Sequence, residues 1–313
     1  MLMSAWLMVG CAIYSSEDEL VEPNKDNTSD KVTLNLNVAV TDGAAFLGQS
    51  TRADYSEAVS DGEKMQTLRL IIVRPDGTVE HNRYYDFHQA PSTTFTSAKF
   101  EVVGGETKNV YLFANENTTF STNHKVFDYD FEALEAGDQF PAEELAAVTI
   151  NLSDNQTCLP LPLFMSEQHE VVVPAKQDTH VELIIVRAAT KFTFRLINNS
   201  ALPLLLSKLT IEKLARAEYM LPNGVVYGFE NNVQYIESYN VPMVGNNEHY
   251  EFVSNFADIE IPASNSSSPL ILDPFYLLES KYDDTPDEDK RNYKISLTAD
   301  GHTYTDGFFD NLE

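Results

Sequence analysis

The sequence predicts an all-β protein, and three observations carry that expectation. Val32, Leu34, Leu36, Val38 and Val40 alternate with Thr33, Asn35, Asn37 and Ala39, the period of two that sets one face of a strand on a core. The run Thr67–Val73 leads into Arg74-Pro75-Asp76-Gly77, where proline presets the first turn position and glycine accepts a positive φ. The chain also has 313 residues, 43% of them hydrophobic, with 18 Phe and 15 Tyr, more than one core comfortably holds and enough to fill two. The expected division is a leader over 1–31, an N-terminal β-domain over 32–177 and a C-terminal β-domain over 178–313.

The leader has two parts. Met1–Gly10 is uncharged and apolar, too short to span a bilayer but long enough for the apolar region of a signal peptide. It closes on Cys11, and Leu7-Met8-Val9-Gly10-Cys11 resembles a bacterial lipobox, which predicts export and acylation of the Cys11 thiol. It departs from that pattern in lacking basic residues at its start and in carrying Met8, which leaves room for a start upstream of Met1. The other reading is a buried N-terminal segment, and the abrupt change to Ser15-Ser16-Glu17-Asp18-Glu19 argues against it. From Ser15 to Asp30 the chain is acidic and poor in apolar residues, so it cannot offset the entropy of ordering and is expected to be a flexible tether.

Beyond the turn at Gly77, strands are expected over 99–103, ended by Gly104-Gly105, and over 109–114. Between Phe131 and Val148, Leu134, Leu145 and Val148 among alanines and glutamates predict short helices, interrupted by Gly137 and Pro141 and covering one end of a β-domain. Strand character returns over 170–173. The domain boundary is expected near Lys176 to Asp178, ahead of a strand over 180–186. The C-terminal domain takes its firmest strands from 191–196, 208–212 and 293–297. The polar stretches 246–265 and 282–291 are expected to be exposed loops.

Charge and motifs exclude more than they assign. A net charge of -27, without any local cluster of Lys and Arg, repels phosphate backbones and removes nucleic acid as a partner. There is no nucleophile elbow, Walker loop, dinucleotide fingerprint or zincin helix, and the 7 histidines are scattered singly. No enzyme, cofactor or metal is expected. The acidic run Asp283-Asp284-Thr285-Pro286-Asp287-Glu288-Asp289 lacks the glycine and distal glutamate of an EF-hand loop and reads as solvated charge. Asp128 and Asp130 are two acids of the kind an acidic chain places by composition alone. Cys158 is expected as a small buried hydrophobe, with little to recommend a disulfide to Cys11.

The stretch Leu68–Val79 (LRLIIVRPDGTV), followed by Thr107–Glu116 (TKNVYLFANE), resembles the fimbrillin family, the subunits of Bacteroidetes type V pili. Leu183–Phe194 and Tyr219-Met220-Leu221-Pro222 are similar to the strands that open that family's C-terminal domain. The resemblance covers roughly residues 32 to 300 and rests on sheet-forming stretches, not catalytic signatures. It implies two transthyretin-like β-sandwich domains, a lipoprotein precursor carried to the outer membrane, and trimming by an arginine- or trypsin-like protease. It also implies a role in surface fimbriae and adhesion. Trimming in that family removes the N-terminal strand, and an extended segment of another subunit takes its groove.

On this chain the strand so displaced is the one carrying Val32, Leu34, Leu36, Val38 and Val40. The matching cleavage position is Arg52–Ala53, in the polar, small-residue stretch Gly48-Gln49-Ser50-Thr51-Arg52-Ala53-Asp54-Tyr55; Lys31 precedes the strand and would not release it. The plain alternative is a loop arginine. Where that family's polymerising subunits carry further donor strands, this chain stops at Gly307-Phe308-Phe309-Asp310-Asn311-Leu312-Glu313. Truncation, a terminal place in the fibre as anchor or tip, or another mode of donation all fit. The implied partners are other fimbrial subunits, a maturation protease and the outer membrane through the lipid. A second reading is a monomeric surface lipoprotein that binds glycans on a platform of Tyr227, Tyr235 and Tyr239.

Overall fold

The computed structural model describes residues 30–41, 60–120, 125–127, 129–152, 158–230, 233–240, 249–264, 268–278 and 293–309. Cys11, Arg52, Ala53 and the acidic run 283–289 lie outside the described residues. The first part of the chain contributes β1 (Lys31–Thr41), β2 (Thr67–Val73), β3 (Val79–Asp86), β4 (Thr94–Val103) and β5 (Glu106–Ala114). A short helix α1 (Ala142–Ala147) and β6 (Thr149–Asn151) precede β7 (Met165–Val173) and β8 (Thr179–Arg187). The remainder holds β9 (Thr190–Phe192), β10 (Arg195–Leu196), β11 (Leu204–Ala215), β12 (Ala217–Tyr219), β13 (Asn223–Glu230) and β14 (Val233–Asn240). It ends in β15 (His249–Ile261), β16 (Leu270–Ile271), β17 (Phe275–Leu277), β18 (Tyr293–Ala299) and β19 (His302–Phe309). The fold is all-β, as expected.

A seven-stranded sheet in the order β3-β2-β5-β7-β8-β1-β4 forms the first body. It curls until its two edge strands face each other across side chains. Arg83 Nη1 of β3 donates to the Lys99 carbonyl of β4 at 2.9 Å, and the Val103 amide donates to Glu80 Oε1 at 2.7 Å. Inside the curl lies one hydrophobic cluster, fed by alternate residues of each strand: Leu34 and Leu36 of β1, Leu68, Leu70 and Ile72 of β2, Phe100 and Val102 of β4, and Leu112 of β5. The β2–β3 turn forms as the sequence predicts, with Gly77 at φ +84° and its amide bonded to the Arg74 carbonyl at 2.9 Å.

A second cluster lies on the outer face of β2 and β5. Ile71, Val73, Tyr111 and Phe113 pack there against residues of the segment 120–164 and then against β11 and β15 of a four-stranded sheet ordered β15-β11-β18-β19. Phe113 stacks on Phe131 at 4.2 Å between centroids, and Tyr111 meets Phe140 at 4.1 Å. The segment expected to cap one end of a domain therefore covers a sheet face, because Phe131, Phe140 and Leu145 present their apolar sides to β2 and β5. β6, from this same segment, pairs with β12, so the two halves are also joined by backbone hydrogen bonds.

Several expectations change. The strand Thr179–Arg187, expected to open the second domain, is β8 of the first sheet, paired with β1 from Leu34↔Thr179 to Thr41↔Val186. The sheet therefore continues past the division expected at 177/178. The single strand expected over 191–196 is split: Thr193 and Phe194 separate β9, which pairs with β17, from β10, which pairs with β16. The stretch 246–265, expected as a loop, holds β15, whose Tyr250, Phe252 and Ile261 are buried against β11. Cys158 is exposed, and its neighbour Leu159 takes the buried position, its amide bonded to the Tyr276 carbonyl at 2.8 Å.

Candidate functional site

The site the sequence singles out is β1 together with the groove it fills. β1 runs antiparallel to β4, from Lys31↔Val103 to Ala39↔Thr94, and parallel to β8 on its other side. It is therefore an interior strand, although it is the first strand among the described residues. Val32, Leu34, Leu36 and Val38 are 6%, 0%, 0% and 1% exposed, and Val40 packs against the same cluster at its rim. The even positions sit in the core, and Thr33, Asn35 and Asn37 face outward, as the period of two requires.

The outward face is held by a few polar contacts. Asp178 Oδ1 accepts the Thr33 amide at 2.8 Å, Asn35 Nδ2 donates to the Thr179 carbonyl at 3.4 Å, and Asn37 Nδ2 lies 3.2 Å from His180 Nε2. Where β1 enters the sheet, the Gly104 amide donates to the Asp30 carbonyl at 2.9 Å. A Cβ at Gly104 would stand 3.0 Å from the Pro174 carbonyl oxygen and 3.2 Å from both the Asp30 oxygen and Val32 Cγ1. The expected strand-ending role of Gly104-Gly105 thus has a second reason: the neighbouring chain needs the space.

After β1 the next described residue is Ser60, and this point is firmly fixed. Its amide donates to Glu63 Oε2 at 2.8 Å, and Lys191 Nζ approaches Glu63 Oε1 at 3.0 Å. Burial alone would raise the Glu63 carboxyl, but the Ser60 hydrogen bond and the Lys191 ammonium outweigh it and hold the group below the usual carboxylate range. Arg187 Nε donates to the Glu63 carbonyl at 3.0 Å. The segment bearing Arg52 therefore joins two well-anchored points, Thr41 at the end of β1 and Ser60.

Of the three tyrosines Tyr227, Tyr235 and Tyr239, the side chains of Tyr235 and Tyr239 lie outside the described residues, and Tyr227 is engaged within the protein. Its hydroxyl lies 2.9 Å from both Glu167 Oε1 and the Gln168 carbonyl, and its ring meets His169 at 5.6 Å. Among the described residues no group of three or more His, Cys, Asp or Glu is placed to hold a metal ion.

No protein-family model matches the chain, and no curated protein matches it. Among solved structures it is similar to the tip fimbrial protein Mfa3 from Porphyromonas gingivalis with a C-terminal truncation, at TM-score 0.51 and 10% identity over 88% of this chain and 80% of that one. It is also similar to a candidate cell-adhesion protein from Parabacteroides distasonis, at TM-score 0.50 and 11% identity over 90% of this chain and 84% of that one. At these identities the likeness is one of fold. The all-β architecture is shared with these fimbrial and cell-adhesion proteins.

Proposed function

We propose that the chain is a structural subunit of a cell-surface fimbria, non-enzymatic and contributing to adhesion, in which β1 is a removable strand. The observation that carries this reading is the place of β1. It fills an interior slot between β4 and β8, yet its sequence connection to the other described strands runs through the segment 42–59. Burial of four aliphatic side chains in that slot stabilises the chain by about 6–12 kcal/mol. That is comparable to the whole stability of an ordinary domain, so a chain cut after Arg52 that lost β1 would need another strand in its place. An extended segment of a second subunit, alternately apolar, satisfies both exposed edges and the groove.

In this reading Cys11 carries the lipid that holds the precursor at the outer membrane, and a surface protease cuts between Arg52 and Ala53. The partners are further subunits of the fibre. The fold shared with a tip fimbrial protein and a candidate adhesion protein supports the role. Intact-mass and N-terminal analysis of the protein from outer membranes and from sheared filaments tests it. A chain starting at Ala53 in filaments is expected. A chain that keeps β1 and an acylated Cys11 in every fraction would overturn the polymerising role and leave an anchor subunit or a monomeric lipoprotein.

A further inference from the structure

The seven-stranded sheet is incompletely zipped. β5 and β7 pair along their whole length, from Glu106↔Val173 to Ala114↔Met165, whereas β7 and β8 pair only at Met165↔Arg187 and Ser166↔Val186. Beyond Ser166 the two strands part, and side chains replace the ladder. His169 Nε2 of β7 donates to the Ile184 carbonyl of β8 at 2.7 Å, and the Tyr227 hydroxyl of β13 reaches the Gln168 carbonyl. Over this opening lies a cleft of about 500 Å³. Val181 and Leu183 of β8, with Leu221, Pro222 and Val225, supply its apolar lining. Gly224, the second residue of β13, has φ +63° here, and a Cβ on it would stand 2.3 Å from Asn240 Nδ2.

Glu167 lines this cleft and is 0% exposed. Its Oε1 accepts the Gln168 amide at 3.0 Å and lies beside the Tyr227 hydroxyl. Its Oε2 is buried and has no hydrogen-bond partner among the described residues. A buried carboxylate oxygen without a donor is costly, and a charged one needs a cation. The neighbouring His169 does not supply one, since burial drives its pKa down to about 4 and leaves the ring neutral. The titratable groups lining the cleft are Glu167, His169, Glu170 and Tyr227, of which none is cationic at neutral pH.

We propose that this cleft binds an alkylammonium group, with the cation on Glu167 Oε2 and the aliphatic stem between Leu183, Leu221 and Val225. The chemistry fits a primary amine on a short unbranched chain, carried either by a small molecule or by a lysine side chain of a protein. Four features select it. An acceptor-only carboxylate favours a donor cation over a neutral hydroxyl. Apolar walls beside a buried charge suit a flexible methylene stem. The Tyr227 ring adds a face that attracts ammonium, and the overall charge of -27 raises the local concentration of cations.

The electrostatics fix the pH dependence. Burial pushes the Glu167 carboxyl up to about 7, against the hydrogen bonds from Gln168 and Tyr227. Only the carboxylate form pairs with an ammonium, so binding displaces the carboxyl proton to the buffer. Affinity should be about tenfold tighter at pH 8 than at pH 6. A calorimetric titration of the full chain with n-pentylamine, with the uncharged n-pentanol, and with a short peptide bearing one lysine tests the assignment. Pentylamine is expected to saturate near about millimolar concentration, with about tenfold weaker binding of pentanol and proton release at pH 6. Binding of the peptide as well assigns a protein lysine as the source, and binding of pentylamine alone assigns a small amine. Equal binding of pentanol, absence of saturable binding, or affinity indifferent to pH would overturn the site. Glu167→Gln is expected to abolish the preference for amine over alcohol. Tyr227→Phe, which leaves the carboxylate in place, is expected to keep it.

Discussion

β1 and β2 are both interior strands of one sheet, and they are held in opposite ways. β2 is buried at every residue, because one face enters the curl of the seven-stranded sheet and the other is covered by Phe131, Phe140 and the C-terminal half. β1 buries only its even positions and leaves Thr33, Asn35 and Asn37 half-exposed. In the proposed reading, the difference separates a strand that belongs permanently to the fold from one that is exchanged. Withdrawing β1 opens one cluster; withdrawing β2 would open both.

The largest effect expected follows from the polar residue that β2 buries. Arg69 is 3% exposed, and its Nε and Nη2 donate to the two oxygens of Glu116 at 2.8 and 2.7 Å, with Asn82 Oδ1 accepting from Nη1 at 3.0 Å. Arg69→Ala leaves a buried carboxylate without its partner, a loss of about 3–5 kcal/mol. Urea unfolding of the uncut chain should show it, and a loss under about 1 kcal/mol would mean that the outer face of β2 is not sealed.

On β1, Leu36→Ala should destabilise the uncut chain by about 2–5 kcal/mol, because Leu36 is fully buried in the cluster. The sharper expectation concerns the assembled form. Once a strand from another subunit occupies the groove, the same substitution should leave the stability of the polymer unchanged. If polymer and uncut chain suffer alike, β1 has not been exchanged.

β7 offers a third way to probe how interior strands are held, because its polar core residues oppose each other in pH. His169, with a pKa of about 4 when folded against an ordinary 6.5, binds its proton mainly in the unfolded chain, so its contribution makes stability rise from about pH 4 to 6.5. Glu167, with a pKa of about 7 against 4.5, holds its proton in the folded chain. Its contribution is greatest below pH 4.5 and is lost as the pH rises to about 7. Over the shared window the two slopes cancel. Glu167→Gln removes one of them, and the stability of the variant relative to the parent should rise with pH by up to about 1.4 kcal/mol per unit between pH 4.5 and 7. A flat difference curve would show that Glu167 ionises normally.

The same contrast explains what the sequence revealed. The alternation of β1 was legible because one face is wet, and the Pro-Asp-Gly turn after β2 because its chemistry is local. The continuous run of β2 marked a strand but not its two covers, since these come from Phe131, Phe140 and β11, distant in sequence. β8 was assigned to the wrong body for the same reason: nothing in its residues announces a parallel pairing with β1. β15 was hidden because Asn246-Asn247-Glu248 and Asn255 gave its stretch a polar look, while Tyr250, Phe252 and Ile261 did the packing. Glu167 had no signal at all, since a single glutamate in a strand becomes distinctive only when its oxygen is buried without a donor.

The smallest effect is also the most discriminating, because it concerns the face of β1 that the comparison treats as dispensable. Asn35 Nδ2 reaches the Thr179 carbonyl at 3.4 Å from a half-exposed position, a long contact that water replaces easily. Asn35→Ala removes one neutral hydrogen bond without leaving a sealed polar group, so the uncut chain should lose no more than about 0.5 kcal/mol. Backbone hydrogen bonds to β4 and β8, with the apolar residues at even positions, would then account for nearly all the grip on β1. Any chain with the same alternation could take its place whatever its outward residues. A loss above about 1.5 kcal/mol would mean instead that β8 reads the outward side chains, and replacement strands would have to carry a matching polar residue at the position of Asn35, within reach of the Thr179 carbonyl.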